Sequence, residues 1–272
     1  MKLRQIFKLL VPPILWSART RIKRRFGKDR PSGKQPHFVT AGQFQVSFEK
    51  VAQDRGIFCV PKYAEHRPAC KAILAGDVYE PATHDVIHEI MQHKGGGIIH
   101  AGTFFGDMLP TFSRSCPATV YAFEPVLENY TLAKLCVEMN GLKNVFLLNA
   151  GLSDRTAIGH VNTTNDTGEH CGGASALSDR GQTVGLVTID SLGLEDISVI
   201  HLDVEGHELP ALEGARATIE RNAPVILIED NRRACKGFLE ELGYRHVGTI
   251  PGLFAWARPS DEAMMGAILP GK

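Results

Sequence analysis

The feature that most constrains the fold is an alternation, which begins at Gly95, of short apolar runs with segments whose apolar residues recur at helical spacing. Short runs bounded by glycine, proline or acid are typical of strands that are buried on both faces. A strand, a helix and a further strand in succession imply a parallel βαβ unit. The predicted strands are Ile98–Ala101, Val120–Phe123, Val145–Leu148, Val199–Leu202, Val225–Ile228, Tyr244–Thr249 and Leu253–Ala257. The pattern therefore predicts an α/β fold built on a doubly wound, mostly parallel sheet of seven strands.

The chain is predicted to have four parts. Residues 1–36 form a basic arm, residues 37–94 a lead-in subdomain, residues 95–260 the main domain and residues 261–272 a tail. The polar stretch Gly159–Gly185 has weak strand character and is predicted to be an insertion between the third and fourth strands. Two stripes of apolar residues predict helices that face the core. They are Leu132, Leu135, Cys136 and Met139, and Leu209, Leu212, Ala215 and Ile219.

Positive charge is concentrated in the arm. Residues 1–34 carry eleven Lys or Arg and a single acid, Asp29, so that of 30 basic and 30 acidic residues the rest of the chain holds 19 and 29. This acidic balance argues against nucleic acid as a partner. Because the arm also holds Leu15 and Trp16, two interpretations stay open. Residues 1–34 either attach to the inner face of a membrane or form a disordered leader.

Cysteine spacing and hydropathy bear on the compartment. The six cysteines have neither the spacing of a zinc module nor that of a disulfide scaffold, which favours a reduced, cytoplasmic setting. The apolar run Ile6–Trp16 is too short to span a bilayer and lacks a small-residue cleavage site. We therefore expect a cytoplasmic protein; its oligomeric state is left open.

A glycine turn follows the first predicted strand. Gly102 and Gly106 frame it, and such glycines let the backbone turn sharply beside a ligand. Glu124 ends the second strand, where an acid can accept hydrogen bonds from the ribose hydroxyls of an adenosine. A dinucleotide would require the G-x-G-x-x-G triplet, which is missing here, so an NAD-linked sugar oxidoreductase is the weaker alternative. An adenosyl ligand without phosphates, such as S-adenosylmethionine, has no such requirement.

Several motifs in fixed order resemble those of the FkbM-type methyltransferase family. They are Ile98–Asp107, Tyr121–Pro125, Asn149–Asp154, Thr188–Leu192 and Ile200–Glu208, within a resemblance that runs from Tyr79 to Asp230. The resemblance implies a class I methyltransferase-like, Rossmann-type fold with S-adenosylmethionine as cofactor. It also implies methyl transfer to a small molecule or glycan, in many members to a hydroxyl of a sugar, a polyketide or a cell-surface glycan.

Two positions depart from the family pattern. The family often has an acid in place of His100 and a lysine in place of His201. A non-catalytic adaptor that retains the fold is therefore the second alternative. A histidine inside a predicted strand is more often a core residue than a catalyst, and we expect this of both positions. The resemblance nevertheless places His100 beside the cofactor.

The candidate site residues lie at the carboxyl ends of the predicted strands, where ligands bind in such sheets. Methyl transfer to a hydroxyl needs an aligned acceptor oxygen and a base. The predicted catalytic residues are Asp203, His207 and Glu205, with Asp203 facing the acceptor and His207 as the imidazole base; helix capping is the structural alternative for the two acids. The predicted cofactor-binding residues are Tyr79, His100, Gly102, Thr103, Phe104, Gly106, Glu124, Pro125, Asn149, Ala150, Ser153 and Asp203. The predicted substrate-binding residues are Glu208, Glu229 and Asp230, and no metal is predicted, although a carboxylate cluster of this kind suits a divalent ion.

Overall fold

The computed structural model describes residues 37–41, 44–230 and 233–269. The predicted arm and the last three residues of the predicted tail lie outside this part of the chain. Within it, no helix has the length and apolar character needed to cross a membrane.

The N-terminal part begins with a small antiparallel sheet in the order β1-β2-β3, followed by two helices. Its elements are β1 (His37–Ala41), β2 (Phe44–Gln53), β3 (Gly56–Pro61), a 3-10 turn (Lys62–Ala64), α1 (Pro68–Leu74) and α2 (Pro81–Lys94). Pro68 and Pro81 each occupy the first helical position, where the missing N–H costs nothing and the fixed φ suits a helix.

The rest of the chain contains eleven further strands and six further helices among the described residues. In chain order they are β4 (Gly97–Ala101), α3 (Leu109–Ser115), β5 (Val120–Phe123), α4 (Leu127–Met139), β6 (Val145–Leu148), β7 (Gly151–Leu152), β8 (Ala157–Asn162), β9 (Ala176–Ser178), β10 (Gln182–Val187), β11 (Ile197–Leu202), α5 (Glu208–Glu213), α6 (Arg216–Asn222), β12 (Val225–Ile228), α7 (Lys236–Glu241), β13 (Arg245–Ile250), β14 (Leu253–Ala257) and α8 (Glu262–Ile268).

The large sheet has seven strands in the order β13-β14-β12-β11-β4-β5-β6. The pairs from β12 to β6 are parallel, whereas β14 runs antiparallel to both of its neighbours. All seven predicted strands are present, and the predicted doubly wound α/β class is confirmed. The order reverses direction at β4, so the carboxyl ends of β4 and β11 border a crevice of the kind that binds ligands in such sheets.

Apolar layers cover the two faces of the sheet. On one face, α2, α3 and α8 pack against the strands through helix residues such as Ile90, Phe112 and Met265. On the other face, α5, α6 and α7 pack through residues such as Leu212 and Ile219. The helix α2 falls within the predicted lead-in, yet it belongs to the layer that covers the main sheet. The small sheet, α1 and α4 form a third, continuous core around the glycine turn.

Two segments differ from the predicted pattern. The predicted insertion is part of a second sheet, in the order β7-β10-β8-β9, which forms the connection between β6 and β11 where a doubly wound fold usually has a helix.

The apolar stripe that ends at Ile219 forms two helices, α5 and α6, instead of one. The break falls at Gly214, where a β-carbon would lie 2.0 Å from the carbonyl oxygen of Ser153. The close approach of this backbone explains why the position requires glycine.

Candidate active site

A cleft opens at the carboxyl ends of β4, β5 and β11. Residues from these ends, from the segment after β6 and from the second sheet line it, among them Gly102, Glu124, Pro125, Ala150, Asp203, Glu205, His207, Gly173 and Leu177. Its free volume is about 40 Å³. Small-molecule sites commonly measure about 300–1,000 Å³, so the cleft is narrow in this structure.

The glycine turn brings two strands of the sheet together. Gly102 has φ +88°, and a β-carbon there would lie 1.8 Å from the carbonyl oxygen of Asp203. Gly106 has φ +85° and would bring a β-carbon within 3.1 Å of the backbone of Ala133 in α4. Both positions therefore need glycine, one to let β4 approach the segment after β11 and one to let the turn approach α4.

Glu124 is the acid at the end of β5, and its carboxylate holds the turn. Its two oxygens accept hydrogen bonds from the backbone N–H groups of Phe104 at 2.8 Å and Val126 at 2.9 Å. The side chain of Asn129 adds a longer bond of 3.4 Å. Phe104 has φ +49°, a strained value for a residue with a side chain, and the bond to Glu124 helps to hold it. Burial raises the pKa of Glu124 to about 7 although these donors favour its charged form.

Thr103 belongs to the same turn. Its side-chain hydroxyl is buried, and among the described residues it has no hydrogen-bond partner. A buried polar group without a partner is costly in a folded protein. The turn therefore offers a hydroxyl, beside the acid of β5, that a bound ligand can satisfy.

Three carboxyl groups meet at the ends of β11 and β12. One oxygen from each of Asp203, Glu205 and Glu229 lies within 4.8 Å of the others. Burial, a hydrogen bond that the protonated Asp203 donates to the Glu229 carboxylate and the negative charges of its neighbours raise the pKa of Asp203 to about 9. Glu205 has φ +55°, so the backbone is strained at the point where this residue enters the cluster. Asp203 therefore holds its proton at neutral pH.

Two further acids extend this negative region, although the sequence patterns assign them no role. Glu80 precedes α2 with φ +51° and accepts a hydrogen bond from the Thr83 hydroxyl at 3.2 Å. Its charge contributes to the raised pKa of Asp203. Burial raises the pKa of Asp107, at the end of the glycine turn, to about 7. An acid directly before a proline at the start of a helix is a weak sequence signal. Only the fold shows which other acids lie near Glu80.

Tyr79, the predicted cofactor residue before α2, lies beside these acids. Burial is the main cause of the raised pKa of its hydroxyl, and the charges of Glu80 and Asp203 contribute. Its backbone carbonyl lies 3.2 Å from Nε2 of the buried His84. Tyr79 therefore lies near these acids but is not among the residues that line the cleft.

His207 lines the cleft, as its predicted role requires. Its Nε2 lies 3.0 Å from the hydroxyl oxygen of Ser153, which in turn donates to Asp154 at 3.0 Å or to the imidazole. Burial lowers the pKa of His207, so the imidazole is neutral at pH 7 and able to accept a proton. Ser153 contacts His207 and does not line the cleft.

Three predicted ligand-binding residues have structural partners instead. The Asn149 amide donates to the carbonyl oxygens of Glu124 and Pro125 at 2.8 and 2.9 Å and so fixes the loop after β5. Glu208 accepts hydrogen bonds from the N–H groups of Val204 and Gly206. Of the two acids after β12, Glu229 joins the carboxylate cluster, whereas Asp230 has backbone partners. Asp230 accepts from the N–H groups of Ala234 and Cys235, just before α7.

The prediction that His100 binds the cofactor is also not supported by its position. Its Nδ1 lies 2.8 Å from Nδ1 of His201, and both rings are buried against Phe112 on the α3 face of the sheet. Burial lowers the pKa of each imidazole, so both are neutral. The expectation that both histidines are core residues is confirmed.

The segment over the cleft is held by polar contacts to the N-terminal part. Asn129 of α4 accepts a hydrogen bond from the Tyr63 hydroxyl at 2.8 Å and donates to the carbonyl oxygen of Gly172 at 3.3 Å. The rings of Tyr63 and His170 lie in tilted contact, with centroids 4.3 Å apart and an interplanar angle of 49°. These contacts place Gly172 and its neighbours directly above the glycine turn.

Comparison with known proteins gives one family match. The family described as the methyltransferase FkbM domain matches residues 90–246, which is more than half of the chain. No curated protein matches the chain.

Solved structures with a similar fold include three methyltransferases. A methyltransferase FkbM from Methylobacillus flagellatus KT has 16% identity and a TM-score of 0.44, over 60% of this chain and 44% of its own length. A methyltransferase from Geobacter sulfurreducens has 14% identity and a TM-score of 0.42, over 66% and 79%. An O-methyltransferase from Bacillus cereus, solved with SAH, has 15% identity and a TM-score of 0.40, over 65% and 80%. The chain thus spans less than half the length of the first of these proteins.

Proposed function

Since the chain belongs to the methyltransferase FkbM domain family, we propose that it transfers a methyl group from S-adenosylmethionine to a hydroxyl of a sugar, a glycan or a related natural product. The observation that carries the proposal is the hydrogen-bonded carboxyl pair of Asp203 and Glu229 beside the glycine turn. It puts a proton acceptor at the crevice where this fold binds its ligands.

The cleft residues suit the proposed cofactor. The carboxylate of Glu124 has about four lone-pair sites, so its three present donors leave room for a ribose hydroxyl. The Thr103 hydroxyl supplies a further polar contact, and Ala150 and Leu177 supply apolar surface for an adenine ring. The carboxylates at the ends of β11 and β12 favour a positive charge, which the sulfonium of S-adenosylmethionine carries. That sulfonium would supply the methyl group as an electrophile.

The acidic residues would act on the acceptor. The Asp203 and Glu229 carboxyls can hydrogen-bond with the acceptor hydroxyl, which orients its oxygen. Because burial and acidic neighbours raise the pKa of Asp203 to about 9, its carboxylate is a stronger base than that of an ordinary aspartate, and it forms as pH rises toward that value. The neutral imidazole of His207, in the same cleft, is a second group that can remove the proton.

Ligand binding tests the cofactor half of the proposal. In calorimetric titrations we expect S-adenosylmethionine to bind and NAD to give no heat of binding. Binding of NAD alone would favour the sugar oxidoreductase, and binding of neither ligand would favour the non-catalytic adaptor. The titrations are run with Mg²⁺ and with a chelator. An absolute need for the ion would assign the three carboxylates to a metal site instead of a base.

Methyl transfer tests the other half. The protein is incubated with a cell extract and S-adenosylmethionine carrying a labelled methyl group, and mass spectrometry identifies the labelled product. We expect label on an oxygen of a saccharide or natural product. Glu195 is an exposed acid before the amino end of β11, remote from the cleft. The variant Glu195→Gln should produce the same labelled product as the parent protein, and it serves as the control for acid-to-amide variants in the cleft. Label on nitrogen or carbon would reject O-methylation.

A further inference from the structure

A second concave surface lies at the edge of the large sheet, on the face that carries α7. We call it the edge groove; α7, β13, β14 and the loop before α7 form it, and its volume is about 730 Å³. This volume falls within the range of about 300–1,000 Å³ that is usual for small-molecule sites. The edge groove is therefore large enough for a ligand of one or two sugar rings, whereas the cleft is much narrower.

Aromatic rings form the floor of the edge groove. His246 of β13 lies across from two residues of β14, with ring centroids 5.8 Å from Phe254 and 5.4 Å from Trp256. His246 is exposed, Phe254 is half-buried and Trp256 lies beneath them. Flat apolar surface with a few polar groups around it is typical of sites that bind rings.

Positive side chains surround this floor. Arg233, Lys236 and Arg245 are all exposed and line the edge groove. Two acids also line it: Glu240 lies 3.8 Å from Lys236, and Asp230 accepts backbone hydrogen bonds before α7. Arg245 pairs with Glu262 at 3.1 Å. Because both side chains are solvent-exposed, this ion pair is weak. Basic side chains thus outnumber acidic ones in the edge groove by three to two, whereas the charged residues that line the cleft are acids.

The end of β12 connects the two sites. Glu229 belongs to the carboxylate cluster of the cleft, and the next residue, Asp230, lines the edge groove. Consecutive Cα atoms are about 3.8 Å apart, so the two sites adjoin. Phe254 of the groove floor also pairs with Ile228, the last residue of β12. The end of β12 therefore borders both sites, which is the placement that a ligand spanning the two would need.

We propose that the edge groove binds the anionic part of an acceptor saccharide, a carboxylate or a phosphate, while a hydroxyl of the same molecule lies at the Asp203–Glu229 pair. The sugar ring stacks on His246 and Phe254, and Arg233 and Lys236 bind the anion. The identification of the ligand as the acceptor rests on the proposed function. The binding site itself does not.

Tryptophan fluorescence can test binding directly. The chain has two tryptophans, Trp16 and Trp256, so in a Trp16→Phe background the signal comes from the edge groove alone. The probes are glucuronic acid, glucose 6-phosphate, glucose and inorganic phosphate. We expect saturable changes with one or both anionic sugars, and at least about fivefold weaker binding of glucose, the effect of one exposed ion pair of ~1 kcal/mol. A response to glucuronic acid alone identifies a carboxylate, and one to glucose 6-phosphate alone identifies a phosphate.

Other outcomes overturn the proposal. Equal binding of glucose would remove the requirement for an anion. Phosphate that binds as tightly as glucose 6-phosphate would indicate an anion site without a saccharide. No response to any probe would reject the site altogether.

Charge variants locate the response. Arg233→Gln combined with Lys236→Gln should weaken binding of the anionic sugar by about tenfold or more. Lys143→Gln, an exposed lysine next to β6 at the other edge of the sheet, is the matched control and should have no effect. An equal loss of sugar affinity in the double variant and in Lys143→Gln would place binding outside the edge groove.

The affinity for S-adenosylmethionine, measured in the same variants, should stay unchanged. Binding of the anionic sugar without binding of S-adenosylmethionine would refute the proposed function and leave the proposed groove site standing.

Discussion

Glu124 and Asp203 are acids at equivalent places, each following a strand that flanks β4, and their surroundings differ. Glu124 faces N–H donors from Phe104, Val126 and Asn129. Asp203 faces the Glu229 carboxyl and the charges of two further glutamates. Burial raises the pKa of both, to about 7 for Glu124 and about 9 for Asp203. The difference lies in the partners, because donors favour a carboxylate whereas other acids disfavour it.

This difference separates an acid that shapes the site from one that is poised for chemistry. The donors around Glu124 connect the glycine turn to the start of α4, so the side chain has a structural task even without a ligand. Asp203 has no comparable task in the described part of the chain, and its negative neighbours make its ionised form costly. Perturbed carboxyls that lack compensating donors are common in active sites.

The largest expected effect is on turnover. Asp203→Asn keeps the size of the side chain and removes the carboxylate, which in the parent protein predominates only above about pH 9. Methyl transfer measured near pH 9 should therefore fall by about 10²–10⁴-fold. Affinity for S-adenosylmethionine, measured by calorimetry, should change far less. His207→Ala distinguishes the two candidate bases. If that variant alone loses turnover, and the loss is relieved as pH rises, the imidazole is the base and the assignment to Asp203 is wrong.

An intermediate effect is expected on stability at Glu124. Glu124→Gln replaces one acceptor oxygen by an N–H₂ group, which leaves a buried backbone N–H of Phe104 or Val126 without a partner. The free energy of unfolding in urea should fall by about 1–3 kcal/mol. Glu138 is an exposed acid of α4, and Glu138→Gln is the control. This variant should change the free energy of unfolding by less than about 0.5 kcal/mol. A neutral result at Glu124 would show that its donors contribute little.

The smallest expected effect has the opposite sign and depends on pH. The ordinary pKa of aspartate is 3.8, and that of Asp203 in the fold is about 9. Between these values the unfolded chain has lost the proton that the folded chain keeps, so the folded state becomes less stable as pH rises. Asp203→Asn should therefore match the parent near pH 4 and exceed its stability by about 1–2 kcal/mol near pH 8. Loss of stability in this variant at pH 8 would mean that Asp203, like Glu124, holds the structure together.

Much of the main sheet is predictable because its strands carry local signals. Runs such as Val120–Phe123 and Val225–Ile228 are apolar throughout and bounded by polar residues, and the observed strands have the same bounds. The acids at their ends follow from the topology, since parallel strands bring their carboxyl ends to one edge. This is why Glu124, Asp203 and His207 were identifiable from the sequence as cleft residues.

Other parts of the site depend on contacts between distant segments. Whether Glu229 or Asp230 enters the cleft is set by where the chain turns toward α7, and adjacent acids give no sign of it. Glu80 becomes part of the site because α2 packs across the sheet and brings its first turn to the cleft. The sheet of β7 to β10 is built on pairings between short, polar strands, whose sequence resembles that of a loop.

The contact between His100 and His201 has a consequence for how these two positions can vary. A neutral imidazole carries one N–H, so only one of the two facing Nδ1 atoms bears hydrogen and the other must accept it. The rings therefore hold complementary tautomers, and a change at one dictates what the other can be. A lysine at His201 alone would bring an ammonium into a buried contact that offers it no negative charge. We therefore expect the residues at these two positions to covary among homologous proteins.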